Sequence, residues 1–397
     1  MPTMPMVRFV ALLAACSLVA ASCTRSRLSR ERASLQSAGL PEALADAHAA
    51  TPPTLPRPTL RPLPPARQRA KDRLTVVAVG DIMLGSHFPD SSTLHPGGAT
   101  AVLADLASVL RDADLTVGNL EGVLLDTGAV VKRCQDPDAC YAFRSPEVYA
   151  EVLADVGFDF LSLANNHSGD FGPHGRDSTK HRLAEVGIAY AGLAGSDEVA
   201  YRSVGGRRLA FLGFAPNSGT VDVRDLDRAR ELVARAAAEA EIVIVSFHGG
   251  AEGADAQRVP RATETYYGED RGDVYAFAHA CVDAGADLVF GHGPHVTRAV
   301  ELYRGRLIAY SLGNFATYGR FSLRGPKGVA PVLRVDVDGE GAFLRGEAIP
   351  TIQTKPTGPM LDPERRAVNL LRELSTADFP ESPLLVDPDG QLVVRPG

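Results

Sequence analysis

Short apolar runs recur along the chain from Leu74 onward, and each stops at a polar residue. Leu74–Val79 stops at Gly80-Asp81, Asp114–Val117 at Gly118-Asn119-Leu120-Glu121, and Phe158–Ala164 at Asn165-Asn166-His167. Glu241–Phe247 stops at His248-Gly249-Gly250, Ala286–Phe290 at Gly291-His292-Gly293-Pro294-His295, and Leu307–Leu312 at Gly313-Asn314-Phe315. Runs rich in β-branched and aromatic residues, without polar alternation, suit strands buried on both faces. Between them, apolar residues recur at helical spacing over Ala99–Ala113, Glu147–Val156, Arg176–Val186, Leu226–Ala240 and Asp273–Ala284. Ser145-Pro146 ahead of the second of these supplies a cap and a first-turn proline. Strands alternating with helices predict an α/β fold. Ala330–Val337 and Gly341–Ala348, joined through Asp338-Gly339, predict a late hairpin, and Pro363–Leu374 predicts one further helix. The main domain therefore spans residues 74–350, with 351–397 as an extension packing on it.

The chain before residue 74 reads differently. Arg8 precedes an uncharged run, Phe9–Ser22, that ends at Cys23. This has the length of a signal peptide and falls short of the ~20 apolar residues of a comfortable membrane span. Ala20-Ala21-Ser22-Cys23 reads as a lipoprotein box with Cys23 as the lipidated residue. Cys16 is the alternative, but cutting there leaves Ser17-Leu18-Val19 after the anchor. An ordinary cleaved signal and an uncleaved anchor are further alternatives. Residues 24–73 read as a tether, because seven of the fifteen residues in 51–65 are proline, which favours extended, solvated chain. The expectation is an exported, membrane-anchored protein on the cell surface or in the periplasm.

Charge sharpens this division. Residues 1–73 carry 11 Lys/Arg against 4 Asp/Glu, leaving 30 against 44 for the rest. An acidic body argues against nucleic acid as partner, since phosphate contacts need clustered cations, and fits metal cations better. Five cysteines include no Cys-x-x-Cys pair. Cys134 and Cys140 flank a short loop and, in an exported protein, suit a disulfide. Cys281 sits in an apolar helical pattern and reads as core.

In open α/β sheets ligands sit beyond the carboxyl ends of the strands, where this chain repeatedly places Asp, Glu, Asn and His. Asn119 and Asn314 also serve as turn formers. His248, His292 and His295 weigh more, because histidine is not a turn specialist. Carboxylate, imidazole and amide oxygen together suit Zn, Mn or Fe, and paired ions of this kind activate water for hydrolysis. Other chemistries fit less well. Gly80 and Gly85 have P-loop spacing, but Ser86-His87 replaces the required Lys-Ser/Thr. No Gly-x-Ser-x-Gly elbow and no His-Glu-x-x-His helix occurs.

These strand-end motifs, in this order, resemble the CapA family of poly-γ-glutamate capsule biosynthesis proteins, a branch of the calcineurin-like metallophosphoesterase superfamily. The match covers about residues 74–350, and is most specific at Asn165-Asn166-His167 and from Gly291 to Phe315. The resemblance implies a four-layer αββα sandwich with one or two divalent ions, Mn, Zn or Fe, at the strand ends. It implies metal binding by Asp81, Glu121, Asn166, His248, His292 and His295, with His167 as acid or transition-state stabiliser and Asn119, Asn165 and Asn314 in support. Its implied partner is an anionic polymer or the machinery that makes, exports or retains it. Two departures stand out. Met83 occupies the position of a metal-binding His, and neutral Asn119 that of a bridging carboxylate. They motivate a second expectation, a non-catalytic polymer-binding or assembly partner. A hydrolase unrelated to capsule is a third.

Overall fold

The structure, a computed structural model, describes residues 72–133 and 140–395. The expected signal segment, Cys16 and Cys23, nearly all of the tether, and Cys134 lie outside these residues. Cys140 is disulfide-bonded.

The first strand, β1 (Arg73–Met83), is buried from Leu74 to its end. It continues past Val79 into the polar segment, so Asp81 belongs to the strand itself. β2 (Leu115–Leu120), β3 (Phe160–Ser162) and β4 (Ala189–Ala191) follow in parallel beside it. The chain then builds a second, six-stranded sheet from β5 (Val199–Val204), β6 (Arg207–Phe214), β7 (Ile242–His248), β8 (Leu288–His292), β9 (Val300–Tyr303) and β10 (Arg306–Ala309). Here β6, β7, β8 and β10 run parallel. The chain returns to the first sheet with β11 (Asn314–Thr317), parallel to β1, and with the antiparallel pair β12 (Val329–Asp338) and β13 (Phe343–Gln353). Beyond residue 350, β14 (Pro359–Leu361), β15 (Leu384–Val386) and β16 (Gln391–Val394) bring that sheet to ten strands.

The strand period of two sends alternate side chains to opposite faces, and the core shows it. Val76, Ala78 and Phe160 face the second sheet, where Phe211, Ile244 and Phe290 meet them. Phe160 stacks on Phe211 with ring centroids 4.6 Å apart. Val77 and Val79 point the other way, onto Leu103, Leu106, Leu153 and Leu183. These come from the segment α1 (Gly98–Leu103) to α2 (Ala107–Arg111), from α3 (Tyr149–Asp155) and from α4 (Gly172–Glu185). Leu212, Val245 and Val289 of the second sheet likewise face Leu232, Val233 and Phe277, carried by α5 (Leu226–Glu239) and α6 (Val274–Asp283). The order of layers is helices, sheet, sheet, helices. Each large apolar side chain taken fully from water contributes about 1.5–3 kcal/mol. The last helix, α7 (Arg366–Asp378), packs on β12 and β13. Its Ser375 hydroxyl accepts from the Val300 amide at 2.9 Å, and Ser382 accepts from Leu302 at 3.0 Å. The C-terminal segment thus satisfies backbone donors of edge strand β9 that would otherwise be left open.

Two glycines let the strands approach where the polar residues begin. A Cβ on Gly80 would lie 2.0 Å from the Gly313 carbonyl oxygen, and one on Gly291 would lie 2.2 Å from that of Tyr310. Backbone cannot yield as a side chain tip can. Gly80→Ala and Gly291→Ala are each expected to destabilise the protein by about 2 kcal/mol or more, read as a lowered midpoint in urea unfolding. An unchanged midpoint would show that the two strands tolerate separation.

Candidate metal site

Parallel register assembles the site. Asp81 of β1 lies opposite Asn119 of β2 and Asn314 of β11, and His248 of β7 lies opposite His292 of β8. Glu121 follows β2 directly. His295 stands in the loop after β8 with a left-handed backbone, φ 57°. The carboxyl ends of the two sheets meet here. Asp81 approaches His292 Nδ1 at 3.4 Å and His295 Nδ1 at 3.0 Å. Glu121 approaches His248 Nε2 and His295 Nε2, both at 3.5 Å. Carboxylates from the first sheet thus face imidazoles from the second. Donor atoms of Asp81, Glu121 and His248 all lie within 4.8 Å of one another.

Asp81, Glu121 and His248 are fully buried, and burial works against charge. Burial pushes the Asp81 carboxyl up, but His292 and His295 outweigh it and hold Asp81 well below its ordinary range. Burial drives Glu121 well above its own. Burial, with Arg271 adding to it, holds His248 well below the usual imidazole value. Burial also opposes charge on His295, yet Glu121, Asp81 and Glu252 raise it to about 10.

The donor set fits a divalent ion. Both Glu121 oxygens, both His248 nitrogens, His292 Nδ1 and Asn166 Oδ1 are buried without a hydrogen-bond partner among the described residues. Buried polar atoms are seldom left so. A dication would take up Glu121 and one nitrogen of His248 and reverse the penalty on the Glu121 charge.

The remaining residues frame this group. Asn119 donates from Nδ2 to Asp81 Oδ1 at 2.9 Å, while its Oδ1 accepts from Asn165 Nδ2 at 3.0 Å. Asn165 also donates to the Leu120 carbonyl and accepts from the His167 amide. Asn119 and Asn165 therefore orient Asp81 and His167, and with these bonds made Asn119 has no oxygen turned to the centre. Asn314 Oδ1 lies 3.2 Å from His295 Nδ1. Met83 packs with Phe143 and Phe321 as an apolar wall.

His167 sits beside the donors with Nδ1 at 2.7 Å from Asp170 Oδ2 and its ring on Phe143, centroids 4.1 Å apart. Burial lowers its pKa despite Asp170. Asp170 Oδ2 also accepts from the Phe143 amide at 2.8 Å, and its Oδ1 pairs with Lys132 at 3.0 Å. Asp170, Lys132 and Glu252 were not singled out from the sequence. Asp170 follows His167 by three positions in a tight turn, and Glu252 follows a strand-end motif like the others, so spacing carried a signal for both. Lys132 lies 35 positions from His167, and no local pattern announces it.

A cavity of about 1040 Å³ opens on the site, lined by His167, Asn166 and His295 and by Lys132, Arg133, Arg176, Arg320 and Lys327.

The family model for bacterial capsule synthesis protein PGA_cap matches residues 75–318. The capsule biosynthesis protein CapA of Bacillus anthracis is 31% identical over 63% of this chain and 61% of its own length. The PGA biosynthesis protein CapA of Bacillus subtilis is 30% identical over 64% of this chain and 65% of its own. The chain thus spans less than two thirds of these relatives. Among solved structures, the 5'-nucleotidase precursor from Thermus thermophilus is similar at 15% identity and a TM-score of 0.38, over 78% of this chain and 59% of that one.

The full chain reconstituted with a divalent transition metal and passed through gel filtration is expected to retain it, by elemental analysis. Metal at 100 times its Kd should stabilise the fold by about 2.7 kcal/mol. Glu121→Gln should reduce the retained metal, and Asp81→Ala combined with His248→Ala should remove it. A wild type that retains none would overturn the site.

Proposed function

This chain belongs to the bacterial capsule synthesis protein PGA_cap family, and from that premise we propose that it is an exported, metal-dependent protein acting on capsular poly-γ-glutamate or a similar anionic surface polymer. The observation that carries the reading is electrostatic. The chain outside the leader and tether is acidic, yet the cavity at the metal site gathers cations. Among the described residues, Arg133, Arg176, Arg320 and Lys327 line it and form no ion pair. Many arginines elsewhere, Arg182, Arg228 and Arg345 among them, are matched by carboxylates. Cations left unmatched around a concave site raise the local concentration of anions and suit a carboxylate-bearing chain.

The ion, Mn, Zn or Fe in our reading, supplies Lewis-acid polarisation and a water of lowered pKa when bound. Asp81, Glu121, Asn166, His248, His292 and His295 would hold it. His167 acts next to them. Its Nδ1 is committed to Asp170, which fixes the ring and leaves Nε2 to exchange a proton with a ligand in the cavity. Met83, Phe143 and Phe321 exclude water from one side. The apolar wall and the neutral Asn119 favour a second reading, in which the site binds polymer without cleaving it. The lipoprotein box supports anchoring through Cys23, with the tether holding the domain off the membrane.

Metal-loaded protein is expected to bind poly-γ-glutamate with an affinity that falls as salt rises, and Arg320→Glu with Lys327→Glu should weaken it about 10-fold or more. In a panel of γ-glutamyl amides and phosphoesters, turnover should depend on metal and fall roughly 100-fold in His167→Ala. Binding with no turnover on any substrate would assign the non-catalytic role, and absence of binding would overturn the polymer reading. In cells, Cys23→Ala should release the protein from the membrane fraction; retention there would point to Cys16 or to an uncleaved segment.

A further inference from the structure

A small hairpin, Glu264–Tyr266 paired with Glu269–Gly272, stands over the cavity. Its two turn residues, Tyr267 and Gly268, both have positive φ, 48° and 78°. A two-residue turn of this form normally carries Asn, Asp or Gly at its first position. A tyrosine there costs about 1–2 kcal/mol relative to glycine. Tyr267 recovers little of that by burial, being 80% exposed, more than any other exposed large hydrophobic residue described. Its ring meets that of Tyr266 edge-on at 4.5 Å, and both residues line the cavity.

The mount beneath this pair is rigid. Glu264, at the start of the hairpin, is held by the fully buried Arg298 through two bonds of 2.8 and 2.7 Å. Arg298 also donates to the Ala256 and Ala251 carbonyls, which ties the hairpin to the loop after β7. Arg271, on the returning strand, pairs at 3.0 Å with Glu252 of that loop, and Glu252 reaches to 3.8 Å from His295. A strained, exposed aromatic on a braced support serves no packing purpose, and strain of this kind collects at ligand sites.

We propose that the Tyr266–Tyr267 tip is an accessory subsite for a polyanionic chain whose acted-on bond lies at the metal site. The cavity cations take the charges of such a chain, and the two rings take the hydrocarbon that separates one charge from the next. This rests on the polymer reading given above. It adds that recognition extends beyond the reacting unit, so affinity grows with chain length until the tip is reached.

Calorimetric titration of the metal-loaded full chain with γ-linked glutamate oligomers of two and ten residues tests it. The wild type should bind the longer oligomer more tightly. Tyr267→Gly should weaken the longer one about 5-fold and leave the shorter within error, while the melting temperature holds or rises because glycine accepts the turn's φ. Tyr267→Phe should behave as wild type. Equal loss for both lengths, or no loss for either, would overturn the subsite while leaving the polymer reading intact. A wild type that binds neither oligomer would overturn both.

Discussion

The structure depends on bringing the carboxyl ends of two sheets together, so that acids from one meet imidazoles from the other. Neither half of the site is complete alone. Asp81 and Glu121 would be buried carboxylates without partners, and His248 and His292 buried rings without acceptors. The Asp81–His295 contact at 3.0 Å and the Glu121–His248 contact at 3.5 Å join the halves. Glycine makes the meeting possible where each row begins, because Gly80 and Gly291 let backbone cross where any side chain would collide. Parallel register then sets neighbours level, placing Asp81 beside Asn119 and Asn314, and His248 beside His292. The inter-sheet core, built on contacts such as Phe160 on Phe211, fixes the distance across which the halves face each other.

Much of this was legible from where apolar runs stop. Runs buried on both faces must end somewhere polar, and in parallel sheets those ends collect at one edge. Asp81, Glu121, His248, His292 and His295 all stand at such ends, the histidines weighing most there and the acids gaining their role from the family resemblance, and they converge in the structure. What stayed hidden has physical reasons. Strand β6 contains the apolar run Leu209–Phe214 but ends at Ala215 without a donor, so a reading keyed to polar ends passed over it. Strands β5 and β9 pair antiparallel at sheet edges, where short, mixed sequences carry little periodicity. The predicted helix over Ala99–Ala113 is broken by a tight turn at Ala104–Leu106, for which the structure offers no evident cause. Lys132 reaches Asp170 only through tertiary folding.

Charge is organised on two scales. The domain's sequence is acidic overall, and many of its arginines are matched by neighbouring carboxylates. Within the cavity the balance reverses. The contrast matters because paired surface charges contribute little to stability, typically up to about 1 kcal/mol, whereas cations left unmatched in a concave site are held ready for an anionic ligand. Repulsion from the acidic surface and attraction into the cavity would act together to admit a polyanion by one route.

Asn119 and Met83 bear on the shape of the site and on its charge. Asn119 spends its amide on Asp81 and its carbonyl on Asn165, so it preserves the orientation of Asp81 and His167 while contributing no negative charge. Met83 fills its place with an unreactive side chain packed on Phe143 and Phe321. Neither side chain gives the centre an anionic donor, and the residues around both stay held. Fewer charges between the ligands mean weaker hold on a second ion, whereas Asp170 still fixes the His167 ring. In our reading, such a centre would keep its scaffold and hold a second ion less strongly. In that setting the cations and aromatic rings that line the cavity would bear more of the task of holding a ligand.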